Sequence, residues 1–276
     1  MPSSDAPSSP RSSALPPSDA FYIPEGNRFV STLFTRGPWD RNFQHGGPPS
    51  ALLTTALLEG VEGMSLARVT LEFLRPVPIA PLRVEVEEVT TGRTVRRRKA
   101  RLWASGGPGD ERAVLEASAL FIREQPMEGE VIGDRWPNPD EFSSFAFPFF
   151  PWTEGYHTAV DVRVVDPPWG RTPIRCWARV RVPLIAGRAT RPEAHTLILA
   201  DAESGMGPPV DPMQWTFVNP DLTVYFARPP AVGWLGLDIR SFAGDLGGGL
   251  SEARLRDARG VFGRSAQSLV VQKRPD

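Results

Sequence analysis

Residues 50–59 read Ser-Ala-Leu-Leu-Thr-Thr-Ala-Leu-Leu-Glu, a helical stretch apolar over most of its circumference and broken only by the small polar pair Thr54 and Thr55. A helix that meets water keeps a polar face there, so one without such a face has to be enclosed by other elements. Pro48 and Pro49 precede it. Prolines suit a first helical turn, where the N–H groups have no intrahelical acceptor. The rest of the chain must therefore supply enough structure to wrap this helix.

The flanking sequence does so with strands. Residues 29–34 read as a first strand, and a turn-rich passage over 37–47 leads through His45-Gly46-Gly47 into the helix. β-like stretches follow at 66–74, 82–89, 94–103 and 113–122, with the alternation of a half-buried strand clearest at Val69, Leu71 and Phe73. The order strand, helix, four strands predicts an α+β unit whose successive strands can pair antiparallel.

The same order then returns: strands at 159–164 and 174–182, a helix at 192–203, and β-like stretches at 213–226, 233–242, 250–257 and 261–271. Phe73-Leu74-Arg75-Pro76 matches Phe226-Ala227-Arg228-Pro229 at an offset of 228 − 75 = 153, and Leu82 falls on Leu235 at the same spacing. Residues 114–122 line up with 261–269 at 261 − 114 = 147, which lays Ser118-Ala119 on Ser265-Ala266 and Leu120 on Gln267. Matches in a common order within a repeated pattern of elements point to duplication. The expected organisation is a disordered leader over 1–20, a first unit over 21–123, a connector over 124–152 and a second unit over 153–276. The leader carries seven Ser and five Pro with almost nothing to bury. The connector interleaves prolines with Phe142, Phe145, Phe147, Phe149, Phe150 and Trp152. It is expected to cover the seam between the units, a partner groove being the other reading.

Composition narrows function mainly by exclusion. Hydrophobic residues make up 41%, charged residues 23%, and the net charge is −1, so no electrostatic argument favours a nucleic-acid partner. No apolar run reaches the roughly 18 residues of a membrane span, and the N-terminus lacks the basic-then-apolar pattern of a secretory signal, so the cytoplasm is the expected compartment. Cys176 is the lone cysteine, and His45, His157 and His195 are the three histidines. That leaves no disulfide framework and little material for zinc, so chemistry with no cofactor and no metal is expected.

A mostly apolar helix wrapped by a long antiparallel sheet and entered through a Gly-Gly loop resembles the hotdog fold. Over residues 21–273 the pair of units resembles the double-hotdog acyl-CoA thioesterases of the thioesterase II type. His45-Gly46-Gly47-Pro48 is similar to the glycine pair that opens the first central helix, and residues 221–226 with Arg228-Pro229 are similar to the family's second-half strand ending in an aromatic and Arg-Pro. The resemblance implies two tandem hotdogs joined sheet edge to sheet edge, with an acyl-CoA or related acyl thioester bound where they meet and hydrolysed by a directly activated water. It implies that Asp201, late in the second central helix, Asn219, where the family has Thr or Ser, and Gln267, on the last strand, hold that water. Asn219 is a departure, because an amide accepts and donates hydrogen bonds but reaches differently from a hydroxyl.

The same residues read by themselves leave alternatives open. Asp201 follows Leu197-Ile198-Leu199-Ala200 and is either a buried carboxylate in need of partners or, with Glu203, a solvated cap before Gly205. Gln267 shares its strand parity with Ser265 and Leu269 and faces either the interior or solvent. Gly46 and Gly47 can bring backbone N–H groups close to a thioester oxygen, or simply make a tight turn. His45 can contact substrate or support that turn. Arg93, Arg96, Arg97, Arg98, Lys99 and Arg101 either meet the phosphates of coenzyme A or form a strand face balanced by Glu85, Glu87 and Glu88. Two rival functions fit the same fold. An acyl-thioester hydratase or dehydratase needs a His and an acid at the substrate's second and third carbons, met by His45 and Asp201 only if the pocket brings them together. The other rival is a non-catalytic acyl-CoA-binding protein. Fusion places the basic hotdog pair within one chain and leaves further assembly into a homo-oligomer open.

Overall fold

The computed structural model describes residues 19–105, 110–129, 135–170 and 172–274. The leader expected over 1–20 lies outside them except for Asp19 and Ala20. The chain opens with a hairpin, β1 (Tyr22–Glu25) and β2 (Arg28–Ser31), where a single strand over 29–34 was expected. Gly26 takes φ 59° at the tight turn, a left-handed conformation that costs glycine little. The rest of that stretch, Leu33–Thr35, is a short 3-10 turn.

The central helix α1 spans Gly47–Leu58 and is buried along most of its length. Its two threonines satisfy themselves on the preceding turn: the Thr54 hydroxyl donates to the Ser50 carbonyl and the Thr55 hydroxyl to the Ala51 carbonyl, each at 2.8 Å. Thr54 is therefore fully buried with its hydroxyl paired. Four strands follow, β3 (Met64–Phe73), β4 (Pro81–Thr91), β5 (Val95–Ser105) and β6 (Glu111–Arg123).

The second unit repeats the plan with α2 (Tyr156–Ala159), β7 (Val160–Asp166), β8 (Ile174–Val180), α3 (Pro192–Ala200) and α4 (Glu203–Met206). It ends with β9 (Trp215–Val218), β10 (Asp221–Phe226), β11 (Leu235–Ala243), β12 (Gly248–Asp257) and β13 (Gly260–Lys273). The stretch expected as one strand over 213–226 is cut in two at Asn219-Pro220, because proline has no N–H to give to a ladder.

The strands form one antiparallel sheet in the order β1-β2-β4-β5-β6-β3-β10-β13-β12-β11-β8-β7, with β9 also paired to β13. This is the α+β double-hotdog architecture, with α1 and α3 side by side against the sheet. The halves meet at β3 and β10, where Thr70 stands opposite Thr223 with their hydroxyls 3.1 Å apart. The separation 223 − 70 = 153 equals the offset of the Arg-Pro repeat, so the axis relating the halves passes through this pair. On either side of it Val69 faces Val224 and Leu71 faces Leu222.

Strand register corrects the alignment of the last strands. Thr70 pairs with Ser118 and its counterpart Thr223 with Ala266, so equivalent residues differ by 266 − 118 = 148, not 147. The irregularities agree, since Ala113–Leu115 and Val261–Gly263 each carry one extra residue against the neighbouring strand. The counterpart of Gln267 is consequently Ala119 rather than Leu120. A slip of one residue turns every side chain to the other face, and only the corrected offset superposes buried Ala117, Ala119 and Phe121 on buried Ser265, Gln267 and Leu269.

Part of the basic row on β5 is paired with acidic neighbours: Arg96 and Arg98 with Glu88, and Arg101 with Glu116. Arg98 also donates to the Leu57 carbonyl at 3.0 Å, satisfying the end of α1. The aromatic connector touches both units. Trp152 donates its indole N–H to the Gly37 carbonyl at 2.8 Å, while the Phe145 amide bonds the Val162 carbonyl at 2.7 Å. Among the described residues no helix is long and apolar enough to cross a membrane.

Contact between the central helices depends on Gly47, where a Cβ would lie 2.5 Å from the Ile198 carbonyl oxygen of α3. Backbone cannot swing aside, so Gly47→Ala is expected to cost about 1–3 kcal/mol as an overpacked contact. Gly129→Ala, with nothing within 4 Å of the added carbon, should leave the melting temperature unchanged. Thermal denaturation of both variants checks this, and equal melting temperatures would refute the close helix contact.

Candidate active site

The entrance of α1 lies against the C-terminal end of α3, and glycine makes this approach possible. A Cβ on Gly46 would lie 2.8 and 2.9 Å from the two carboxylate oxygens of Asp201 and 2.7 Å from the ring of Phe73. Asp201 occupies the C-cap of α3 with helical backbone angles, and its carboxylate is only 2% exposed. The reading of Asp201 and Glu203 as a solvated cap is therefore set aside, since both are buried.

A buried carboxylate requires hydrogen-bond donors, and each oxygen of Asp201 has a nitrogen within reach. Asn219 donates its Nδ2 to Oδ1 at 2.8 Å from the corner between β9 and β10. His45 Nδ1 lies 2.9 Å from Oδ2. His45 belongs to the first unit, Asp201 and Asn219 to the second, so the cluster sits on the seam. The imidazole stacks on Tyr156 with ring centres 3.7 Å apart and planes 5° from parallel. The Tyr156 hydroxyl donates to the Ile198 carbonyl at 2.9 Å, which fixes that platform. Burial, and then the nearby Asp201 charge, push this hydroxyl well above the ordinary tyrosine value, so it remains a donor.

These groups line one part of a cavity of about 460 Å³. Its other walls are largely aromatic, with Trp39, Phe73 and Phe217 joined by Phe147, Phe149 and Phe150 of the connector. Trp39 stacks on Phe149 at 5.9 Å and meets Phe217 edge-on at 5.4 Å. The arrangement offers an apolar chamber with a hydrogen-bonded carboxylate and a histidine in its wall.

Gln267 is placed differently. It is buried on the inner face of β13 opposite Ser251, is not part of the cavity wall, and has no hydrogen-bond partner for either amide atom. Near it lies a group that the sequence offered only as part of a solvated cap: Glu203 is fully buried and accepts a short hydrogen bond from the Ser265 hydroxyl. Burial pushes the Glu203 carboxyl up to about 8; the Ser265 bond opposes this and the Asp201 charge adds to it. Its place two residues after Asp201, on an otherwise apolar helix end, was the available signal. Tyr156 gave none, because nothing local distinguishes it. Among the described residues no three His, Cys, Asp or Glu side chains are grouped to hold a metal ion.

Residues 35–122 match the family model described as the acyl-CoA thioesterase N-terminal domain, and residues 133–271 match that described as the acyl-CoA thioesterase C-terminal domain. The chain belongs to the acyl-CoA thioesterase family. No curated protein is significantly similar to it in sequence. Solved structures with the same fold include a hot dog fold protein of unknown function from Alicyclobacillus acidocaldarius, with 19% identity, TM-score 0.68, and coverage of 94% of this chain and 97% of that one. A tesB protein of Mycobacterium avium subsp. paratuberculosis has 17% identity and TM-score 0.64 over 90% and 93% of the two chains. The acyl-CoA thioesterase II TesB2 of Mycobacterium marinum has 18% identity and TM-score 0.62 over 91% and 94%. As an acyl-CoA thioesterase family member, the chain is a thioester hydrolase by class.

Glu203 makes stability depend on pH. An unfolded glutamate releases its proton near 4.5, whereas the folded one holds it to about 8. Between those values the folded state binds more protons, so this group's contribution falls as pH rises through the window. Glu203→Gln keeps the shape and removes the titration. Relative to the parent, its melting temperature should rise from about pH 5 to about pH 8 and level off above that, and a constant difference across that range would refute the buried acid.

Proposed function

We propose that this protein hydrolyses an acyl-CoA or a related acyl thioester, with the acyl chain in the aromatic cavity and the attacking water activated at Asp201. The observation that carries the reading is the buried Asp201 carboxylate in the cavity wall, gripped by Asn219 and His45 from the two halves. Desolvated and held by fixed donors, such a group is aimed before substrate arrives. Asn219 orients the carboxylate, and Gln267, buried outside the cavity wall with neither amide atom paired, is suited to hold a water beneath the cluster. Backbone N–H groups at Gly46 and Gly47 receive the charge that develops on the thioester oxygen, since Pro48 and Pro49 have none to give. Water adds to the carbonyl carbon, the C–S bond breaks, and the products are a carboxylic acid and a free thiol.

The 2.9 Å contact between His45 and Asp201 also meets the condition for a hydratase or dehydratase, in which a His and an acid serve neighbouring carbons of an acyl chain. The two chemistries separate cleanly, because hydrolysis releases thiol and hydration does not.

Release of free CoA from short, medium and long acyl-CoA thioesters is the deciding assay. Asp201→Asn should reduce kcat by about 100-fold or more, the usual scale for loss of an acid–base group. Gln267→Ala should cost about tenfold, equivalent to about 1.4 kcal/mol. An unchanged rate in Asp201→Asn would end the assignment of the water to this carboxylate. Hydrated or dehydrated acyl-CoA without thiol would select the second reading.

A further inference from the structure

Two groups compete for His45 Nδ1. Asp201 Oδ2 lies 2.9 Å away, and the Gly47 backbone N–H points at the same nitrogen from 3.2 Å. An imidazole nitrogen carries either a proton or a lone pair, so it cannot donate to the carboxylate and accept from the amide together. With a lone pair on Nδ1, nitrogen and carboxylate oxygen would face each other lone pair to lone pair inside a buried site. With a proton there, the shorter contact becomes a charge-assisted hydrogen bond and the longer one is given up.

We propose that His45 is the general base of the hydrolysis, its Nδ1–H bound to Asp201 and its Nε2 lone pair taking a proton from the attacking water. The assignment rests on the thioesterase reading and moves the proton acceptor from the carboxylate to the ring. Two observations support it. His45 lines the cavity with its side chain 13% exposed, and no protein group among the described residues bonds to Nε2. Stacking on Tyr156, itself tied to Ile198, holds the ring plane. That tautomer leaves the Gly47 N–H without an acceptor on the ring.

In the step itself, a water oxygen bonds to the thioester carbonyl carbon while one of its protons passes to Nε2. The carbonyl electron pair moves to the carbonyl oxygen. Collapse of that intermediate breaks the C–S bond, and the departing sulfur takes the proton back from Nε2. Asp201 acts through the ring as its positioning residue and keeps its hydrogen bond to Nδ1 throughout.

The test combines His45→Gln and His45→Ala with tautomer assignment in the parent by long-range ¹H–¹⁵N NMR. The expected results are a kcat loss of about 100-fold or more with KM little changed, partial recovery of the Ala variant by added imidazole, and an Nδ1–H tautomer. An active parent whose His45→Gln variant keeps its kcat, a loss confined to KM, no rescue of a folded Ala variant, or an Nε2–H tautomer would each overturn the base while leaving hydrolysis at Asp201 standing. The NMR result decides even if neither variant folds. A parent inactive on every acyl-CoA tried would instead overturn the thioesterase reading, and the base with it.

Discussion

The pairing of β3 with β10 through Thr70 and Thr223 is the constraint on which the rest of the molecule depends. Each half has a strand edge at this point, and an open edge invites pairing with another chain. Joining the edges makes one continuous sheet and brings α1 and α3 together on its inner side. An apolar helix such as α1, with no face suited to water, is enclosed only because the second half completes its surroundings. Gly46 and Gly47 then admit α3 closely enough for Asp201 and His45, from different halves, to meet at 2.9 Å.

Duplication supplied two equivalent helix ends, which the sequence has treated in opposite ways. In the first half Arg98 reaches the carbonyls at the end of α1 and pairs with Glu88, closing that end with an ion pair and a helix cap. Its counterpart at 98 + 153 = 251 is Ser251, a small hydroxyl opposite Gln267. Ala119 stands where the second half has Gln267. The second half therefore has a buried polar layer of Glu203, Ser251, Ser265 and Gln267 beneath the Asp201 cluster, whereas the first has Arg98 and apolar packing. Stability alone does not favour this layer, because unpaired buried polar atoms cost free energy that the alanine-lined equivalent avoids. The cost is confined to the half that carries the carboxylate.

The cavity shows the same division of labour. Its polar wall comes from the two helix ends and the corner at Asn219, while much of its apolar wall comes from the connector aromatics. Rigid elements thus place the reacting groups, and a segment outside the repeat shapes the chamber that takes the acyl chain.

The sequence by itself determined the double unit, the enclosed first helix, most of the strands, and Asp201 and His45 as residues in need of an explanation, whereas Asn219 came from the resemblance to the thioesterase family. Those features are local, since periodicity and spacing are written along the chain and a carboxylate after four apolar residues is conspicuous without coordinates. Tertiary structure decided what lies between segments. The register of β6 against β3 and of β13 against β10 moved the counterpart of Gln267 from Leu120 to Ala119, because two matched residues in a sequence cannot distinguish one pleat from the next. The union of His45 with Asp201, the Tyr156 platform and the burial of Glu203 depend on helix ends packed across the seam. Such contacts join residues more than 40 positions apart, as Tyr156 to Ile198 does at a separation of 42, and only the folded chain brings them within hydrogen-bonding distance.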